Sequence, residues 1–208
     1  MRQIRVISFD ADGTLLVPGF VEAIWHEAIP ALYSQKNGVE LDQAREIMSR
    51  EYDLVGPQRL EWYDVNYWLK RFDLGPADEL IQRCQDRIAY YPEVQDVLTS
   101  LSGEYALVVA SAGPTEMLVP AVAPIRHYFS HIFSSISDYG QLKSADFYRG
   151  MCQTMKVEPA SVVHVGDSWQ FDFLTPKQIG INAVYLDRGG NDNDSSIANL
   201  REIFSFLA

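Results

Sequence analysis

Cysteine is scarce in this chain: its 208 residues include two, Cys84 and Cys152, with no CxxC spacing. That excludes a thiolate zinc site and a disulfide framework, and leaves both thiols as small core residues. Histidine is almost as rare, with four, and His127 and His131 stand at no metal-ligand spacing from acids. Cations are outnumbered as well. Seventeen Lys plus Arg face 28 Asp plus Glu, a formal net charge of −11. Such a surface repels phosphate backbones and anionic lipid, which argues against nucleic-acid and membrane partners. No apolar run is long enough to span a bilayer, and the opening MRQIRVISFD lacks the apolar stretch and small-residue cleavage site of a secretory signal. A cytoplasmic protein is therefore expected. Internal repeats and low-complexity tracts are missing too.

What remains is an ordinary globular composition, 47% hydrophobic and 22% charged. The length admits one domain, or one domain carrying a substantial insertion. Short apolar runs recur at Ile4 to Phe9, Tyr105 to Ala110, His131 to Ile136, Val162 to Val165 and Ala183 to Leu186. Each has the β-branched, mostly apolar character of a buried parallel strand. Segments of helical period lie between several of them, for example Val94, Val97, Leu98 and Leu101. Strand and helix in alternation predict an α/β fold, a Rossmann-like parallel sheet covered by helices.

The interval from Val17 to Tyr91 holds no strand signal. One helical face carries Val21, Ile24, Trp25, Ala28 and Leu32, another Trp62, Val65, Leu69 and Phe72, and a third Leu80, Ile81, Cys84 and Ile88. Pro57, Gly75, Pro76 and Pro92 punctuate them. An all-helical insertion is expected here, with Trp25, Trp62 and Trp68 assigned mainly to its core. The tract from Arg188 to Ser196 reads as an exposed loop before a last helix bearing Ile197, Leu200, Ile203 and Phe204.

Chemistry concentrates at strand ends. Asp10 and Asp12 follow the first run directly, and the crevice outside the carboxyl ends of parallel strands is where ligands bind in such sheets. Two carboxylates so close are costly unless something compensates them. The DxDG fragment also serves in turns and calcium loops, but ADGTLLVPGF offers no closing Glu. A second acidic pair, Asp167 and Asp172, follows VVHV. Carboxylates from two strand ends can converge on one hard cation, and Mg²⁺ suits an oxygen-only site that also meets a phosphate. Ser111 ends a third strand, and Lys143 offers a cation to the same crevice. His164, inside its apolar strand, reads as a hydrogen-bonded core residue.

The ordered series Asp10-Ala11-Asp12-Gly13-Thr14, Ser111, Lys143, then Gly166-Asp167-Ser168 with Asp172 resembles the haloacid dehalogenase-like (HAD) hydrolase superfamily over essentially the whole chain. The helical interval resembles the inserted cap of its helical-cap branch. The implied division is an α/β core of residues 1–16 and 92–208 with a cap of residues 17–91. Two positions depart from the pattern: Ala112 stands where Asn is frequent, and Ser144 where Pro usually follows the Lys. The resemblance implies Asp10 as nucleophile and Asp12 as general acid and base. It implies Ser111 and Lys143 as phosphate-binding groups. Asp10, Asp12 through its backbone carbonyl, Asp167 and Asp172 would surround Mg²⁺. The expected activity is Mg²⁺-dependent hydrolysis of phosphate monoesters of small metabolites through an aspartyl-phosphate. A 2-haloacid dehalogenase, a phosphomutase and a non-catalytic phosphate- or metal-binding protein remain as alternatives. Dehalogenases lack the second Asp, since halide leaves without an acid. Substrate choice would fall to the cap, with His26, Arg59 and Trp62 as candidate contacts. Oligomeric state is left open.

Overall fold

The computed structural model describes residues 3–190 and 196–207; the middle of the expected polar loop, residues 191–195, lies outside them. The apolar runs become β1 (Val6–Phe9), β2 (Ala106–Ser111), β3 (Phe129–Ser134), β4 (Val162–Gly166) and β5 (Asn182–Leu186), joined by a two-residue β6 (Ser196–Ile197). They form one six-stranded sheet of order β3-β2-β1-β4-β5-β6, parallel throughout. Side chains alternate between the faces of a strand, so a strand covered on both faces is apolar at most positions, with the buried Ser8 and His164 as polar exceptions. Ile7, Phe9, Leu107, Val109, Val163 and Val165 accordingly join one core cluster, and Val6, Val108, Ala110 and Val162 the other.

Between β1 and β2 the chain is helical: α1 (Gly19–Glu22), a π-helical turn at Ala23–Ala28, α2 (Ile29–Asn37), α3 (Leu41–Val55), α4 (Val65–Phe72) and α5 (Ala77–Cys84). After these comes α6 (Val94–Ser102), which packs on the sheet. Trp68 is fully buried, edge-on to Tyr52 with centroids 4.7 Å apart and stacked on Phe72 at 6.0 Å. The helix expected from Trp62 starts later. Asp64 accepts a hydrogen bond from the Asn66 N–H at 2.9 Å and caps α4 at Val65. Trp62 is left in a preceding 3₁₀ turn, half-buried rather than in the core. The two connections to the core run antiparallel: Leu16 bridges Tyr90, Val17 N–H donates to Ala89 O at 3.0 Å, and Tyr91 N–H donates to Leu15 O at 3.1 Å.

The second half alternates helices and strands: α7 (Thr115–Val122), α8 (Ser135–Tyr139), α9 (Ala145–Met155), the short α10 (Thr175–Lys177) and α11 (Phe204–Leu207). Phe147, Tyr148, Met151 and Cys152 of α9 cover the second sheet face. The third strand lies two residues earlier than expected, because Ser134 caps α8: its hydroxyl accepts from Ser137 N–H at 3.0 Å, and Ser135 and Ile136 become helical. Ile197 belongs to β6 rather than to the final helix, paired with Leu186. Both cysteines are free and buried. Among the described residues no helix is long and apolar enough to cross a membrane.

Candidate active site

Register brings the strand ends together. Phe9 pairs with Val109 on one side and Val165 on the other, and Asp10 N–H donates to Val165 O at 2.9 Å. Asp10, Ser111 and Asp167 therefore emerge along one edge of the sheet. A cavity of about 520 Å³ opens there, lined by Asp10, Asp12, Ser111, Lys143, Asp167 and Asp172, the six positions singled out in the sequence.

Lys143, on the segment between α8 and α9, is 3% exposed and donates to Asp10 Oδ1 at 2.7 Å; it also pairs with Asp172 Oδ1. Asp172 is completely buried in a second π-helical turn, Trp169–Leu174. Its Oδ2 accepts from Ser168 N–H at 3.0 Å, and its Oδ1 from His164 Nε2 at 3.0 Å. Because the carboxylate can only accept, Nε2 carries the imidazole proton, and Nδ1 accepts from the Ser8 hydroxyl at 2.8 Å. The Tyr148 hydroxyl lies 3.0 Å from Nε2 and donates to Phe171 O at 2.8 Å. His164 is thus the buried, hydrogen-bonded residue expected, and it orients Asp172. Gly166 permits this approach, since a Cβ there would fall inside the Asp172 side chain.

Electrostatics follow from four carboxylates around one ammonium. Burial pushes the Asp10 carboxyl up and outweighs Lys143, with Asp172 adding to the rise. Asp12 is pushed up to about 7, by burial and then by the Asp10 charge. Asp167, at the open side, is likewise raised to about 7 by removal from water and by Asp10. Burial would raise Asp172 too, but Lys143 and His164 hold it well below the usual range. The same carboxylates overcome the desolvation of Lys143 and raise its pKa. Oxygens of Asp10, Asp167 and Asp172 lie within 4.8 Å of one another, an oxygen-only set with one uncompensated member, which fits a hard divalent cation. The Asp12 carboxylate is outside that set. A Cβ on Gly113 would lie 4.0 Å from Asp12 Oδ2 and 3.7 Å from Ser111 Oγ, so those two groups face the same part of the crevice.

Several contributors lie outside the sequence expectations. Of the candidate cap contacts, His26 and Trp62 line the cavity, whereas Arg59 does not and pairs instead with Glu61 at 2.5 Å; Trp25, assigned mainly to the core, and Tyr63 and Phe171, not singled out, line it as well. Arg188, read as part of an exposed loop, reaches under the Asp12 turn. It donates to Gly13 O at 3.0 Å, Thr14 O at 2.7 Å and Glu93 Oε1 at 2.7 Å, and lies 3.4 Å from the Tyr91 ring centroid. The density of aromatics between residues 52 and 72 was the available signal for the walls; nothing in the local sequence marks Arg188.

A parallel sheet that gathers acids and one buried lysine at its carboxyl edge has the architecture of an α/β enzyme. The chain belongs to the haloacid dehalogenase-like hydrolases, whose family model matches residues 4–180. It is 33% identical over 73 residues to GMP/IMP nucleotidase YrfG of Escherichia coli (strain K12). That stretch is 35% of this chain and 32% of the relative, so only about a third of the relative's length is spanned. Among solved structures, the HAD phosphatase from Thermococcus onnurineus is similar at TM-score 0.86 and 27% identity, over 99% of this chain and 98% of that one. The 2-haloacid dehalogenase from Pseudomonas syringae pv. Tomato DC3000 shares the fold at TM-score 0.71 and 23% identity, over 99% and 98% of the two chains.

Proposed function

We propose that this hydrolase is a Mg²⁺-dependent phosphatase of small phosphorylated metabolites, acting through an aspartyl-phosphate on Asp10. The observation that carries this reading is the placement of Asp12 beside Asp10 and facing Ser111, in a crevice floored by Lys143 and two more carboxylates. The helical interval 17–91 acts as the cap over a core of residues 1–16 and 92–208.

An Asp10 oxygen attacks phosphorus and the ester P–O bond breaks, while Asp12 gives its proton to the departing alkoxide. Asp12 then takes a proton from water, whose oxygen attacks the phosphorus of the aspartyl-phosphate, freeing Asp10 and inorganic phosphate. Ser111 and Lys143 hold the phosphoryl oxygens during both displacements, which need positioning and charge stabilisation above all. Asp10, Asp167 and the Asp12 carbonyl are the groups suited to Mg²⁺. Asp172, whose two oxygens already accept hydrogen bonds, completes or orients that set. Bound Mg²⁺ supplies positive charge to the phosphoryl group. Asp12 is also the feature that favours a phosphatase over a dehalogenase, because a departing halide needs no proton.

The test is hydrolysis of p-nitrophenyl phosphate with Mg²⁺, with EDTA, and by Asp10→Asn. Activity should vanish in EDTA and fall at least about a thousandfold in Asp10→Asn. Turnover surviving both treatments refutes the mechanism, and chloride release from 2-chloropropionate without added metal would establish the dehalogenase instead.

A further inference from the structure

Beyond its acidic floor, the cavity is walled by rings. Trp25 comes from the first π-helical turn, Tyr52 from α3, Trp62 and Tyr63 from the turn before α4, and Phe171 from the second π-helical turn. Trp62 and Tyr63 meet edge-on with centroids 4.7 Å apart, and Trp25 meets Tyr52 edge-on at 5.7 Å. Tyr52 is also packed edge-on by Trp68 at 4.7 Å and is buried, whereas Trp25, Trp62 and Tyr63 are each only partly buried where they line the cavity.

The charged groups are as informative. Among the described residues that line the cavity, Lys143 is the only Lys or Arg, and it already serves Asp10 and Asp172. Arg59, a candidate contact in the sequence, does not line the cavity and pairs with Glu61. His26, exposed at the mouth, is the one further basic side chain lining the cavity. A substrate carrying a second anionic group away from its phosphoryl end would meet no guanidinium or further ammonium among the described lining residues. It would meet instead the field of a chain with net charge −11. A volume of about 520 Å³ is ample for a ring plus a short linker to the phosphate.

We infer that the substrate is a phosphate monoester whose leaving alcohol carries an uncharged flat ring, held between the aromatic walls. The inference rests on the phosphatase reading and narrows it. The shared chemistry covers nucleoside 5′-monophosphates and aryl phosphates, and it excludes phosphorylated hydroxy acids and nucleoside diphosphates. Trp62, half-buried on a turn rather than locked in a helix, is the ring assigned to the stacking face.

The experiment compares kcat/KM with Mg²⁺ for adenosine 5′-monophosphate, phenyl phosphate, phosphoglycolate, 3-phosphoglycerate and acetyl phosphate. The ring esters should exceed the two carboxylate esters at least hundredfold, whichever ring ester leads. Trp62→Ala should lower the ratio of phenyl phosphate to acetyl phosphate turnover about tenfold, mainly through KM, and Trp62→Phe should restore most of it. Carboxylate esters turned over within threefold of the ring esters, or a ratio unmoved by Trp62→Ala, would overturn the inference while leaving a phosphatase in place. Absence of phosphate release from all five, acetyl phosphate included, would instead defeat the phosphatase reading and this inference with it.

Discussion

Arg188→Met removes a guanidinium that ties three parts of the chain together while keeping an apolar stem of similar length. The wild-type group spends its donors on Gly13 O, Thr14 O and Glu93, and lies over Tyr91. Glu93 is 3% exposed at its side chain and Arg188 18%, so the variant leaves a buried carboxylate without its counter-charge. Breaking a buried pair from one side costs about 3–5 kcal/mol; residual water access at Arg188 places the expectation near the lower bound, about 3 kcal/mol. For a chain of this size that is a fall of roughly 6–12 °C in Tm. Chemical denaturation of wild type, Arg188→Met, Glu93→Gln and the double variant gives a cycle, and the coupling should be at least about 1.5 kcal/mol. The pH dependence has a definite sign. Burial, the largest single effect, pushes the Glu93 carboxyl up, but the Arg188 hydrogen bond, the backbone hydrogen bonds and the Arg188 charge together outweigh it and depress the pKa below its ordinary 4.5. Its contribution is therefore fully present above that ordinary value and is lost as pH falls towards the depressed one. The gap between wild type and Glu93→Gln should accordingly close on acidification. A destabilisation under about 0.5 kcal/mol in Arg188→Met, the level of an ordinary surface change, would refute the reasoning.

Gly166→Ala should dislodge Asp172, because the added Cβ would occupy its side-chain position; a loss of at least about a hundredfold in kcat, with a lowered Tm, is expected from steady-state kinetics and calorimetry. Tyr148→Phe deletes hydrogen bonds to Phe171 O and the His164 ring and should cost about 1 kcal/mol in a urea melt, leaving the sheet intact by circular dichroism. Trp68→Ala removes a fully buried indole from the helical interval and should cost about 3–5 kcal/mol, read as a shifted denaturation midpoint; an unchanged midpoint would show that this cluster carries little of the stability.

Much of the site was legible from local pattern. Asp10, Ser111 and Asp167 each stand where an apolar run stops, and parallel register then aligns those stops on one edge. Boundaries were less legible where a polar side chain decides them. Ser134 converts two residues of an expected strand into helix, and Asp64 trims an expected helix and releases Trp62 towards the crevice. A spacing argument assigns a tryptophan to a helix face but is blind to a carboxylate that ends the helix first. Arg188 was invisible for a related reason. As the first residue of RGGNDNDSS it has the composition of a solvated loop, and its partners lie at Gly13, Thr14 and Glu93, far away in the chain.

The sequence by itself determined the parallel sheet, the helical interval and the strand-end acids, because these follow from unbroken apolar runs, from the 3.6-residue helical period and from where those runs end. Only the tertiary structure decided which acid is free and which is held. Lys143 joins Asp10 to Asp172, His164 and Ser8 fix Asp172 from behind, and Asp167 stays at the open side. The same division separates wall from core among the tryptophans, Trp68 inside and Trp25 and Trp62 on the cavity. Burial and pairing depend on distances between residues remote in sequence, and those distances exist only once the sheet has closed its register.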